Sequence, residues 1–132
     1  MDDQRNEPEV IQRARARIPK GLNITPQTTP VVAFGRPQQA RVATLGINPS
    51  DREFSGRDGS LLPPDRKRLV DREMLNIDDE SELSLEDAER VVEGGYSYFE
   101  NPDKVYKTWF SWMETYAVLP SGASYFDGTA CH

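Results

Sequence analysis

Apolar positions fall into two rhythms along these 132 residues. Between Glu7 and Ile18, the residues Val10, Ile11, Ala14 and Ile18 mark a narrow stripe at helical spacing. Pro19 and Gly21 close it, and a loop rich in Pro, Thr and Gln runs from Asn23 to Pro30. Val31 to Phe34 and Arg41 to Ile47 are short, uninterrupted apolar runs joined by Gly35 to Ala40, which has turn chemistry. Two such runs around a short turn predict an antiparallel pair. Their continuous apolar character predicts a sheet covered on both faces.

Beyond Asn48-Pro49 the chain is polar from Ser50 to Pro64, with Gly56, Gly59, Pro63 and Pro64. A loop of that length in a compact domain is usually functional or disordered. Asp65 to Leu75 reads as a short helix with Leu69, Val70 and Met74 inward. Ser84 to Asp87 resembles a capping box that opens a helix carrying Leu85, Ala88, Val91 and Val92 and stopping at Gly94-Gly95. Asn101-Pro102 opens another helix, running to Leu119. Its stripe is Val105, Trp109, Trp112, Met113 and Tyr116, widened by Phe110 and Ala117. That stripe predicts the most heavily buried helix of the chain, its aromatics serving as core rather than as a base-stacking platform.

Thr129 to His132 looks like the start of a strand after the Asp127-Gly128 turn. Strand, helical crossover and parallel strand form the usual α/β unit. The expected fold class is therefore α/β, a partial three-layer α/β/α sandwich with a small, incomplete sheet. Neither a repeat nor a linker divides the sequence, so residues 1–132 read as a single domain, the N-terminal part of a larger α/β domain cut off as its second parallel strand begins.

Composition narrows the function classes. No apolar run approaches the roughly 20 residues of a membrane-spanning helix, and Met1 to Arg5 lacks the order of a secretory signal. Cys131 is the single cysteine, which suits a cytoplasmic location. A net charge of −6 argues against a general phosphate-binding surface. Positive charge is local, in Arg13, Arg15 and Arg17 and in Arg66, Lys67 and Arg68, which read as solvated faces or as phosphate contacts. Cys131 and His132 are too few to hold a metal, and they read as strand residues. The acidic run Asp78 to Glu80 with Glu82 lacks the order of a calcium loop. Glycine-rich phosphate loops are absent, so no cofactor is expected.

Candidate chemistry lies in Arg41-Val42-Ala43-Thr44-Leu45-Gly46-Ile47-Asn48-Pro49-Ser50. It reads as a strand turning into a polar loop, and ligands of open α/β sheets bind beyond the carboxyl ends of strands. A fixed carboxamide at Asn48 would hold a water by its oxygen, a positioning role rather than a basic one. Pro49 would stiffen the loop and Gly46 would permit close backbone approach. The same letters also make an ordinary Asn-Pro turn. Phe54 and Arg57 follow; Phe54 would either stack on a flat ligand or anchor the loop.

Leu45-Gly46-Ile47-Asn48-Pro49-Ser50 resembles the first active-site motif of the uracil-DNA glycosylase superfamily, closest to its mismatch-specific and single-strand-selective branches. Ser50 stands where those branches carry glycine. The resemblance implies that Asn48 positions the water attacking the sugar carbon of a flipped uracil. It also implies that the backbone around Gly46 and Ile47 contacts the base, that Pro49 and Ser50 belong with them to the substrate-binding loop, and that Phe54 stacks on the base. DNA is then the expected partner, and no metal or cofactor is needed. The family's second motif, a His-containing loop that enters DNA, has no counterpart up to His132. The expectation is therefore a glycosylase-like chain, active in its full-length form and inactive here. The alternatives are a non-catalytic interaction or nucleotide-binding module on the same scaffold, or a fragment that self-associates through an exposed sheet edge.

Overall fold

The computed structural model describes residues 8–16, 24–46, 51–100 and 108–132. Among these the elements are helix α1 (Glu9–Arg15), strand β1 (Val42–Ala43), helix α2 (Arg72–Leu75), helix α3 (Leu85–Tyr96), helix α4 (Thr108–Met113) and strand β2 (Ala130–Cys131). Helix α4 continues into a π-helix at Glu114–Val118 and a 3-10 turn at Leu119–Ser121. The architecture is mixed α/β, mostly helical, around a small open parallel sheet.

Strands β1 and β2 are parallel, with Val42 opposite Ala130 and Ala43 opposite Cys131. On the other edge of β2, Phe34 and His132 exchange both backbone bonds, at 2.7 and 2.9 Å, the pattern of an antiparallel pair. The Val31–Phe34 and Arg41–Thr44 runs therefore do not pair with each other, as the short turn predicts. They flank the 130–132 segment, whose Ala130 and Cys131 are both buried. The most hydrophobic place in the sheet goes to the segment that is small and apolar on both sides. β1 is not covered on both faces either: Ala43 is exposed and Leu45 is 93% exposed.

Helix α3 begins as its sequence predicts, with Ser84 Oγ accepting from the Asp87 N–H at 3.1 Å, which satisfies a donor at the helix start. Ala88, Val91 and Val92 are buried, whereas Leu85, on the first turn, is exposed. The helix does not stop at Gly94-Gly95. A Cβ on Gly95 would lie 2.4 Å from the Ala33 carbonyl oxygen, and one on Gly94 would lie 3.0 Å from Val70 Cγ2. These glycines let α3 approach the Val31–Phe34 segment, and Gly35 N–H donates to the Gly95 carbonyl there. They are close-approach glycines, not terminators.

Helix α2 is shorter than the predicted Asp65–Leu75 span. The chain before it is held in a turn by Arg66 and Lys67 N–H bonds to the Pro63 carbonyl. Asp71 caps the helix by accepting from the Met74 N–H at 2.9 Å. Starting the helix at Arg72 sets its phase, so Arg72 and Leu75 are buried and Met74 is exposed. Arg72 is held by the carbonyls of Thr28, Asp78 and Ser81. Helix α1 buries Ile11 and Ala14, as its stripe predicts; Ile18 lies outside the described residues.

The largest correction concerns α4 and its continuation. Phe110, Glu114 and Val118 form the buried ridge, at steps of four. Trp109, Trp112 and Tyr116, predicted to face the core, are 41%, 58% and 67% exposed. The reason is Glu114, which accepts from the Tyr125 N–H at 3.0 Å and from Ser124 Oγ. An acid with inward partners draws its whole face toward the core, and a hydrophobicity pattern assigns it to water. Val105 and the Asn101-Pro102 cap lie outside the described residues.

Two cores result. An aromatic one joins Phe34, Phe54, Tyr98, Phe99, Phe110 and Tyr125 with Leu69, Val118, Ala123 and Ala130. An aliphatic one joins Ile11, Ala14, Leu75, Leu83, Ala88, Val91 and Val92.

Candidate functional site at the carboxyl end of the parallel pair

Parallel pairing brings the carboxyl ends of β1 and β2 together, and with them Thr44, Gly46 and His132. The Thr44 N–H donates to the Cys131 carbonyl at 2.9 Å, extending the ladder one residue past β1. Thr44 Oγ1 lies 2.8 Å from His132 Nδ1 and 2.5 Å from the Tyr125 hydroxyl. The other edge of the imidazole faces Gly46, where an added Cβ would lie 2.9 Å from Nε2. Gly46 therefore serves close approach to the imidazole: a side chain there would displace the histidine.

Aromatic rings also border the half-buried imidazole. Trp109 meets it edge-to-face with centroids 4.8 Å apart, Phe110 does so at 5.6 Å, and Phe34 lies tilted at 5.9 Å. Burial pushes the His132 pKa down, so the ring is neutral at neutral pH. Burial likewise pushes up the Tyr125 hydroxyl and the Cys131 thiol. The site is thus a set of uncharged donors and acceptors in an apolar frame. Among the described residues no cluster of three or more His, Cys, Asp or Glu side chains is arranged to hold a metal. Among the described residues no helix is long and apolar enough to cross a membrane.

Of the six sequence-predicted site residues, Gly46 and Phe54 are described; Ile47, Asn48, Pro49 and Ser50 lie outside the described residues. Gly46 is exposed beside His132. Phe54 is 4% exposed within the aromatic core. There it anchors the loop that follows β1, together with Glu53, whose Oε2 accepts from Tyr98 at 2.7 Å and Arg68 at 3.2 Å. The 51–62 segment is ordered by its own backbone, including Leu62 N–H to the Phe54 carbonyl and Gly56 N–H to the Ser60 carbonyl. Arg57 is exposed on it.

The basic clusters are mostly committed. Lys67 is buried between Asp71 at 2.5 Å and Glu73 at 2.9 Å, and Arg68 is paired with Glu53. Arg13 pairs loosely with Glu9 on α1, and Arg15 donates to the Leu83 carbonyl.

Thr44, Tyr125, Glu114 and His132 are the site residues that sequence reasoning missed. The available signal was the predicted strand at Thr129–His132: parallel pairing with Arg41–Ile47 puts its last residue beside the Gly46 turn. At the opposite end of β2, a pocket of about 460 Å³ is lined by residues including Tyr96, Phe99, Phe126, Arg36, Glu100 and Asp127. Its charges are already engaged, Arg36 by Glu93 and Glu100 and Asp127 by Thr129. Comparison with protein-family models, with curated proteins and with solved structures finds no match to this chain.

Proposed function

We propose that this chain is a uracil-DNA glycosylase-like protein that recognises or excises a base of DNA at the carboxyl end of β1. The observation supporting this reading is the end of β1: Thr44 is bonded to His132 and Gly46 lies against it, and Ile47-Asn48-Pro49-Ser50 follow Gly46 in the sequence. In this reading Asn48 orients a water toward the sugar carbon. The carbon–nitrogen bond to the base breaks as the water oxygen bonds that carbon; the base leaves with the electron pair, and the proton lost by the water ends on the released base. Extrusion of the base from a duplex, or use of a single strand, is required for access. Neither a metal nor a cofactor takes part.

The test is base release and binding by the purified chain with uracil-containing single- and double-stranded DNA. Release or binding that Asn48→Ala abolishes supports the reading. Wild-type protein that neither binds nor releases a base overturns it. The exposed Trp109, Trp112 and Tyr116 favour a second reading, a non-catalytic interaction module. DNA binding that survives Asn48→Ala without any base release would select that one.

A further inference from the structure

His132 is the one histidine of the chain, and its ring nitrogens are not equivalent. Tyr125 is 1% exposed, and among the described residues its hydroxyl has a single hydrogen-bond partner, Thr44 Oγ1. A buried hydroxyl proton needs an acceptor, so Tyr125 donates to Thr44. Thr44 Oγ1 directs its own proton to one of two acceptors, His132 Nδ1 at 2.8 Å or the Cys131 carbonyl at 3.4 Å, which already accepts the Thr44 N–H. The shorter bond is the one to Nδ1. With Nδ1–H donating to Thr44, either the tyrosine proton is stranded in the core or the Thr44 proton is left with only the long bond to the Cys131 carbonyl. Upstream, Glu114 on the π-helix fixes the turn that carries Tyr125, through the Tyr125 N–H and Ser124 Oγ. Among the described residues the ionisable groups next to the imidazole are Tyr125, reached through Thr44, and Cys131, its chain neighbour. Both hold their protons at neutral pH.

The geometry points to a proton-ordered chain, Tyr125 to Thr44 to His132, anchored by Glu114, that fixes the imidazole as the neutral Nε2–H tautomer. His132 thereby presents a hydrogen-bond donor at the carboxyl end of β1, suited to an uncharged acceptor such as a carbonyl oxygen. Glu114, Tyr125 and Thr44 are positioning residues for that donor. This goes beyond the base-excision reading and stands or falls without it.

The test is nitrogen-15 NMR of the single histidine in the whole chain, with its titration followed on the ring Cε1–H. Wild type is expected to show Nδ1 unprotonated and Nε2 protonated, with no exchange between tautomers. Thr44→Val and Tyr125→Phe, both close in shape to the native residue, are expected to bring in the Nδ1–H tautomer. Thr44→Val, which removes the donor to Nδ1, is also expected to raise the His132 pKa by about 0.5–1 unit, the worth of one hydrogen bond to the neutral ring. Glu114→Ala is expected to act in the same direction and Glu114→Gln, which keeps an acceptor for the Tyr125 N–H, to restore the wild-type spectrum. A wild-type Nδ1–H or mixed spectrum overturns the proposal. So does an unchanged tautomer and titration in both Thr44→Val and Tyr125→Phe.

Discussion

The two cores of this molecule hold their buried polar groups in different ways. At the helical end, α1 and α3 pack aliphatic side chains, and the polar residues beside them serve the backbone. Arg72 donates to the Thr28, Asp78 and Ser81 carbonyls, and Asp71 caps α2. At the sheet end, aromatic rings surround a connected series of side chains, Glu114 to Ser124 and Tyr125, then Thr44, then His132. The first arrangement closes on itself. The second begins in the core and opens at a half-buried imidazole at the end of a parallel strand pair. A buried network that terminates at a surface has an unfinished partner, and this separates a candidate site from a structural staple.

Paired truncations break the comparison most strongly. Phe110→Ala is expected to cost about 3–5 kcal/mol in denaturant unfolding, and Leu83→Ala about 2–5 kcal/mol. Only the first is expected to alter the His132 ring signals at temperatures where both variants are folded, because Phe110 touches the imidazole and Leu83 belongs to the other core. Equal disturbance of His132 by both would mean that the cores are not separate.

Gly95→Ala probes the place where α3 meets the sheet. Its Cβ would lie 2.4 Å from a backbone oxygen, which cannot rotate away. The expected cost is about 1–3 kcal/mol by chemical denaturation. A neutral result would show that the approach of α3 to Ala33 is looser than described. Ser84→Ala, at the far end of the same helix, is expected to cost about 1 kcal/mol with no change at His132.

The smallest effect is a pH dependence. The folded His132 pKa lies below the ordinary value near 6.5, so the unfolded chain takes up a proton first as pH falls. Stability is then unaffected by this group above about pH 6.5 and falls below it, until the folded-state pKa is passed. Urea midpoints between pH 7.5 and 5 are expected to decline in wild type and to decline less in His132→Asn. Identical slopes would remove the histidine as the cause.

How much of this was legible in the sequence follows from what each pattern encodes. Ser84, Ala88, Val91 and Val92 are local, and the start and buried face of α3 were readable from them. The mixed α/β class and the small sheet followed from the order of apolar runs. So did the parallel strand at Thr129–His132; the antiparallel pairing of the first two runs was not found, because a short turn between two runs looks the same whether they pair or a third segment enters between them. Gly94-Gly95 spelled a helix end, although its cause is the approach of Ala33 from elsewhere in the chain. The face of α4 was only partly legible: Phe110 and Met113 turn to the core as their stripe predicts, but Trp109, Trp112 and Tyr116 turn outward, because Glu114 counts as polar along a helix whatever accepts or donates at its end. Gly46 was legible as a position needing a small residue. The imidazole that needs it, 86 residues later, was not.

The central claim is that the carboxyl end of β1 and β2 is where this protein meets its ligand. The most direct measurement is the ring spectrum of His132 in the whole chain during titration with a single-stranded oligonucleotide containing uracil, against the same strand containing thymine. The account predicts that the His132 signals shift or broaden with the uracil strand and respond less to the thymine strand. Folded protein whose His132 signals stay unchanged in both titrations, or that binds DNA with changes confined to residues distant from Thr44, Gly46 and His132, would contradict it.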